Sequence, residues 1–130
     1  MTGQISPIRI AVVDDDKALL TVFSAIMKRY GYHADFFNGP VRALYEISTR
    51  KGFYQLVITD LRMPEMDGVE FARQLREAEP KMPVIFMTGE ITEEAKEAAA
   101  KMGRAVFLEK PFALEQTLSE FIPKFLSGEI

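Results

Sequence analysis

With 130 residues, 48% of them hydrophobic, the chain can form one domain around its own core, without disulfides or structural metal. It has no cysteine, which excludes thiol catalysis, thiolate-bound zinc and iron–sulfur clusters, and its formal net charge of −3 argues against direct contact with nucleic acid. No basic-then-apolar leader opens the chain and no apolar run could span a bilayer, so the expected location is the cytoplasm and no membrane partner is expected.

The elements alternate from the start. Ile8–Val13 reads as a strand. Asp16–Tyr30 reads as a helix, because Leu19, Leu20, Phe23, Ile26, Met27 and Tyr30 share one face, and Gly31 is its stop. His33–Phe37 is a short strand, and Gly39–Arg50 a helix with Pro40 near its first position. Gln55–Thr59 is an apolar strand, and Gly68–Ala78 a helix ended by Pro80. Pro83–Met87 is a strand, and Thr92–Met102 an alanine-rich helix stopped by Gly103. Ala105–Leu108 is the last strand, with a helix from Ala113 onward.

Five βα units with strands apolar throughout imply a parallel sheet covered on both faces. Right-handed crossovers then give a doubly wound α/β fold. In such a sheet the residues just past the carboxyl ends of the strands share one rim, and ligands bind there. The sequence places Asp14, Asp15 and Asp16 after strand one and Asp60 after strand three. Thr88 and Gly89 end strand four, and Glu109, Lys110 and Pro111 end strand five.

Two carboxylates about 4 Å apart repel by roughly 4 kcal/mol at an effective dielectric of 20. One remedy is protonation. The other is a hard divalent cation, and oxygen donors without cysteine or nearby histidine suit Mg²⁺ or Mn²⁺. A lysine and a hydroxyl beside such an ion make a cradle for a phosphoryl group. A carboxylate can itself be the nucleophile, and Asp60 sits centrally enough to form an aspartyl-phosphate. Singly, each residue has an ordinary role: helix cap, turn residue, strand-end hydroxyl or surface lysine. Their convergence from different strands argues for chemistry.

The segments "VVDDD", "VITDLRMPEMDG", "VIFMTG" and "LEKPF" occur in this order with helices between them. In this the chain resembles the receiver domain of two-component response regulators, from about Ile8 to Phe125. The resemblance implies a single receiver domain over residues 1–130 (core about 8–126), with a flavodoxin-like, five-stranded sheet of order 2-1-3-4-5 and five helices. It implies Asp60 as phosphoacceptor. It implies a Mg²⁺ site of Asp15, Asp14 acting through water, Asp60 and the Arg62 backbone carbonyl. Thr88 and Lys110 would bind the phosphoryl group, and the Lys110–Pro111 peptide would be cis. Phe107 matches the switch aromatic, which packs inward as a permanent core residue or swings on activation. Arg62 and Glu90 flank the site and would tune dephosphorylation by pairing across its entrance. Asp16 caps a helix. The partners implied are a sensor histidine kinase or histidine phosphotransfer protein and a downstream effector or output domain. The domain is a phosphoacceptor that assists its own phosphoryl transfer and dephosphorylation, not an enzyme. Its switched surface is the fourth helix, fifth strand and fifth helix.

Pro123 falls inside the last helical pattern and predicts a kink or stop near Ile122, which puts dimerisation through that helix in question. His33, the one histidine, reads as surface, so the phosphodonor is another molecule. An alternative takes Asp14 as nucleophile and Asp16 as acid, in a small phosphatase resembling the haloacid dehalogenase superfamily. It fails at Ala18, where that motif prefers Thr or Val, and leaves "DLRMPEMDG" unexplained. A receiver-like scaffold that works without phosphorylation is a third reading.

Overall fold

The structure is a computed structural model and describes residues 8–109 and 114–129. β1 is Arg9–Val13, α1 Lys17–Arg29, β2 His33–Phe37, α2 Pro40–Thr49 and β3 Leu56–Asp60. α3 is Gly68–Ala78, β4 Val84–Thr88, α4 Glu93–Met102 and β5 Ala105–Glu109. The last helical segment, α5, runs as α-helix Leu114–Gln116, a π-helical turn Thr117–Phe121 and α-helix Ile122–Ser127. All strand pairs are parallel, in the order β2-β1-β3-β4-β5. This is the expected doubly wound sheet.

Alternate residues of each strand feed two cores. Ala11, Val13, Val57, Val84 and Phe86 pack with Ile47 of α2 and with Phe71 and Leu75 of α3. Ile10, Val12, Ile58 and Ile85 pack on the other face with Phe23 and Met27 of α1 and with Ile122 and Phe125 of α5. Both faces are therefore dry, which is why these strands read as continuous apolar runs.

Short polar side chains start α1, α3 and α4. Asp16 accepts from the N–H groups of Ala18 and Leu19 at 3.0 and 3.2 Å, and so begins α1. Asp67 accepts from Glu70 N–H at 2.8 Å and begins α3. Thr92 accepts from Ala95 N–H at 3.2 Å and begins α4. Asp16 satisfies two, and Asp67 and Thr92 one each, of the unpaired donors of a first turn. The sequence pair Asp67-Gly68 is thus a helix start and not a hairpin turn.

α4 is held shallowly. Its buried residues are Ala95 and Ala99. Two methyl groups contribute only about 0.8 kcal/mol each, far less than the Leu20, Phe23 and Met27 side chains that α1 buries.

Pro123 does not stop α5; the helix continues to Ser127. Proline has no N–H, and its ring would strike the carbonyl four residues back. The helix instead widens: Ile122 N–H donates to Thr117 O, five residues away. In that register the carbonyl of Leu118 faces position 123, where there is no donor. The Tyr32 hydroxyl supplies one, donating to Leu118 O at 2.9 Å. Burial raises the pKa of Tyr32, which keeps that proton in place. Among the described residues, no helix is long and apolar enough to cross a membrane.

Candidate functional site

Register fixes which side chains meet. Val13 pairs with Phe37 on one side and Thr59 on the other, so Asp14 stands level with Asp60. Asp60 pairs with Met87, so Thr88 stands one step beyond it on the neighbouring strand. Carboxylate oxygens of Asp14, Asp15 and Asp60 lie within 4.8 Å of one another. Asp14 is fully buried, Asp60 half-buried and Asp15 exposed.

The local backbone supports this cluster. Asp14 N–H donates to Phe37 O at 3.0 Å, and the Asp14 carboxylate accepts from Asp16 N–H at 2.8 Å. The main chain on either side of Asp60 is fixed by Leu61 N–H to Met87 O at 2.9 Å and by the Thr59 hydroxyl to Asp60 O at 3.0 Å. The loop after β3 closes through Gly68 N–H to Leu61 O at 2.7 Å. A Cβ on Gly68 would stand 2.4 Å from Asp60 O, so only glycine lets α3 begin this close to the carboxylate-bearing residue.

Three carboxylates in a partly dry site need positive charge or protons. Ligand oxygens on opposite sides of Mg²⁺ stand about 4.2 Å apart. An all-oxygen cluster within 4.8 Å therefore fits a hard divalent cation, given a small side-chain rotation or one bridging water. Asp16 caps α1 through one carboxylate oxygen and is not part of the cluster of Asp14, Asp15 and Asp60.

Thr88 is buried, and its hydroxyl is engaged locally. It donates to Glu90 O at 2.8 Å and accepts from Glu90 N–H at 3.1 Å. Arg62 and Glu90 are exposed and form no ion pair with each other. The Arg62 N–H approaches Asp60 Oδ1 at 3.5 Å. The Phe107 ring is partly buried and stacks on Phe86, with centroids 5.2 Å apart. His33 is exposed at the opposite, N-terminal end of the sheet. Lys110 and Pro111 lie outside the described residues.

Two clefts accompany these features. One of about 390 Å³ opens beside the acidic rim between α3 and α4, where Leu61, Arg62, Glu70, Glu94 and Ala98 line it. Another of about 380 Å³ lies between the end of α1 and β2, beside Lys28, Tyr32 and His33. Only the first adjoins the converging carboxylates. The sequence pattern did not single out Gly68 for its close approach or the double bond between Thr88 and Glu90. A glycine directly after a helix cap was the available signal for the first; the second had none.

Residues 10–121 match the family described as the response regulator receiver domain. The transcriptional regulatory protein ZraR of Klebsiella oxytoca is 34% identical over 123 residues, 92% of this chain and 27% of ZraR. Response regulator MprA of Mycobacterium sp. (strain KMS) is 34% identical over 113 residues, 87% of this chain and 48% of MprA. The chain thus spans less than half the length of these curated relatives. Among solved structures, a CheY-like response regulator receiver domain protein from Methanospirillum hungatei JF-1 superposes with a TM-score of 0.84 at 26% identity, covering 96% of this chain and all of that one. Chemotaxis protein CheY4 of Vibrio cholerae gives 0.80 at 25% identity, covering 91% of this chain and 98% of its own. A parallel sheet of this order, an acidic rim at its switch point and a family match over nearly the whole length agree: the chain belongs to the receiver domain family of response regulators.

Proposed function

We propose that residues 1–130 form one receiver domain that accepts a phosphoryl group on Asp60 from a phosphohistidine of a partner kinase or phosphotransfer protein in the cytoplasm. The observation that carries this is the meeting of the Asp14, Asp15 and Asp60 carboxylates beside Thr88. In the transfer, an Asp60 carboxylate oxygen bonds to phosphorus as the phosphorus–nitrogen bond breaks. The imidazole leaves with that electron pair as the neutral ring, its other nitrogen carrying the proton. A Mg²⁺ or Mn²⁺ ion held by Asp14, Asp15, Asp60 and the Arg62 carbonyl would supply positive charge against the phosphoryl oxygens. Lys110 has the counter-charge role that the family resemblance gives it.

The product carries about −1.5 to −2 charges at neutral pH. Thr88 then has a better acceptor than Glu90 O, and leaving that carbonyl reshapes the loop into α4. Phe107, already stacked inward on Phe86, follows the loop. The surface of α4, β5 and α5 changes, and a downstream effector reads it. The domain is a phosphoacceptor and not a turnover enzyme. Arg62 and Glu90 set the lifetime of the acyl phosphate through their exposure at the entrance, not through a bond between them.

The test is incubation of the full chain with Mg²⁺ and a small acyl-phosphate donor, read by intact mass. One phosphoryl group per chain, lost in Asp60→Asn, is expected. Label that persists in Asp60→Asn, or catalytic phosphate release dependent on Asp14, refutes the reading.

A further inference from the structure

Arg76 lies in the last turn of α3, at the end of the molecule away from the acidic rim. Its guanidinium makes four hydrogen bonds, all to main-chain carbonyls. Nε donates to Met82 O at 2.8 Å and Nη1 to Met102 O at 2.8 Å. Nη2 donates to Gly103 O at 2.7 Å and Arg104 O at 3.1 Å. Three consecutive carbonyls at the end of α4 are thereby tied to the segment that enters β4.

The backbone bends to make this convergence. Gly103 has φ 67° and Arg104 φ 49°; among the described residues, Arg104 is the one non-glycine with a left-handed φ. Two such residues in a row turn the carbonyls of 102, 103 and 104 to one side. The carbonyls lie at the negative end of the α4 dipole, which favours a cation. Only a planar group with five donors spans four of them; an ammonium offers three from one point. Burial, and secondarily the charge of Arg104, lower the pKa of Arg76 below the ordinary arginine value.

The other end of α4 is tied differently. The loop before it is closed by the one Thr88 hydroxyl, which holds both the N–H and the carbonyl of Glu90. Between the two ends the helix buries only two alanines. A helix fastened at one end, latched at the other by a releasable hydroxyl and packed through methyl groups rotates more easily than it slides.

We infer that Arg76 is the fulcrum of the switch: α4 answers modification of Asp60 by pivoting about its pinned C-terminal end while its N-terminal end travels. This rests on the receiver mechanism proposed above. Arg76 is a positioning residue and touches no reacting group.

Amide hydrogen exchange on the full chain, with and without Mg²⁺ and a small acyl-phosphate donor, tests it. In the wild type, modification changes exchange at residues 89–95 by about tenfold or more and at 102–105 by less than about twofold. In Arg76→Gln, exchange at 102–105 rises about tenfold already in the unmodified protein, and the response to modification spreads over 89–105. Arg76→Lys, which keeps the charge but cannot span four carbonyls, shows the same spread. Asp60 labelling in both variants stays within about twofold of wild type, since Arg76 lies outside the site. A uniform wild-type response along 89–105 overturns the pivot, as does a wild-type profile in either variant. The wild-type comparison needs no variant to fold. Absence of label on Asp60 refutes the receiver mechanism and the pivot together; label without the split along α4 refutes the pivot alone.

Discussion

Replacing Tyr32 by phenylalanine removes one hydroxyl and should cost more than its small size suggests. That hydroxyl donates to Leu118 O across 86 residues of sequence. Leu118 is 1% exposed, so water cannot easily take over its carbonyl. The neighbour that would serve in the widened turn is position 123, and it is proline. Stranding a buried acceptor costs about 1–3 kcal/mol. Because Tyr32 is only half-buried, the lower part of that range, about 1–2 kcal/mol, applies. For a chain of this size the melting temperature should fall by roughly 3–5 °C per kcal/mol. Urea unfolding at pH 7 should show a lower midpoint with an unchanged slope. The decisive comparison is a double-mutant cycle with Pro123→Ala. Alanine restores an N–H at 123, so Tyr32→Phe should then cost little, leaving a coupling of about 1 kcal/mol. If Tyr32→Phe costs the same in both backgrounds, the hydroxyl is not replacing the proline's missing donor, and the account of the π turn fails.

Two further predictions concern Gly68 beside the site and Tyr54 just before β3, at the other end of the sheet. Gly68→Ala forces a Cβ to within 2.4 Å of Asp60 O. It should lose about 1–3 kcal/mol of stability and slow Asp60 labelling, both measured on the same preparation; normal stability with normal labelling would contradict the close approach. Tyr54 donates to Asp35 at 2.5 Å, and burial, then that hydrogen bond and the Asp35 charge, raise its pKa well above 10.0. The neutral phenol is therefore favoured in the fold, so its stability contribution is complete below the unfolded pKa of about 10 and declines as pH rises above it. Denaturation midpoints between pH 9 and about 11 should fall in the wild type and fall less steeply in Tyr54→Phe, where Tyr32, whose pKa is also raised, still contributes.

The acidic rim was legible because a parallel sheet sends every strand's carboxyl end to one side. Three aspartates after β1 and one closing β3 must then be neighbours. α3 was legible to the residue because Asp67 and Pro80 bracket it, and α1 to within one residue at each end because Asp16 and Gly31 do. The π turn was only half legible. The missing N–H of Pro123 is a local property, but the helix's answer depends on a hydroxyl from beyond α1 that no periodicity connects to α5. Arg76 left no trace in the sequence, since its partners are carbonyls, which every residue has. Their convergence follows from two left-handed residues at the end of α4, of which the second, Arg104, is not one that sequence marks for that conformation.

The loop from Asp60 to Gly68 also divides what can vary from what cannot. Leu61, Met63 and Gly68 face inward and are buried, while Arg62 and Pro64 project into solvent. Its two ends are stitched together by the Gly68 N–H. The segment therefore behaves as a cassette: a fixed inner edge that sets Asp60 and an outer edge whose side chains carry no packing load. Side-chain changes at Arg62 and Pro64 leave that buried inner edge, and with it the position of Asp60, untouched.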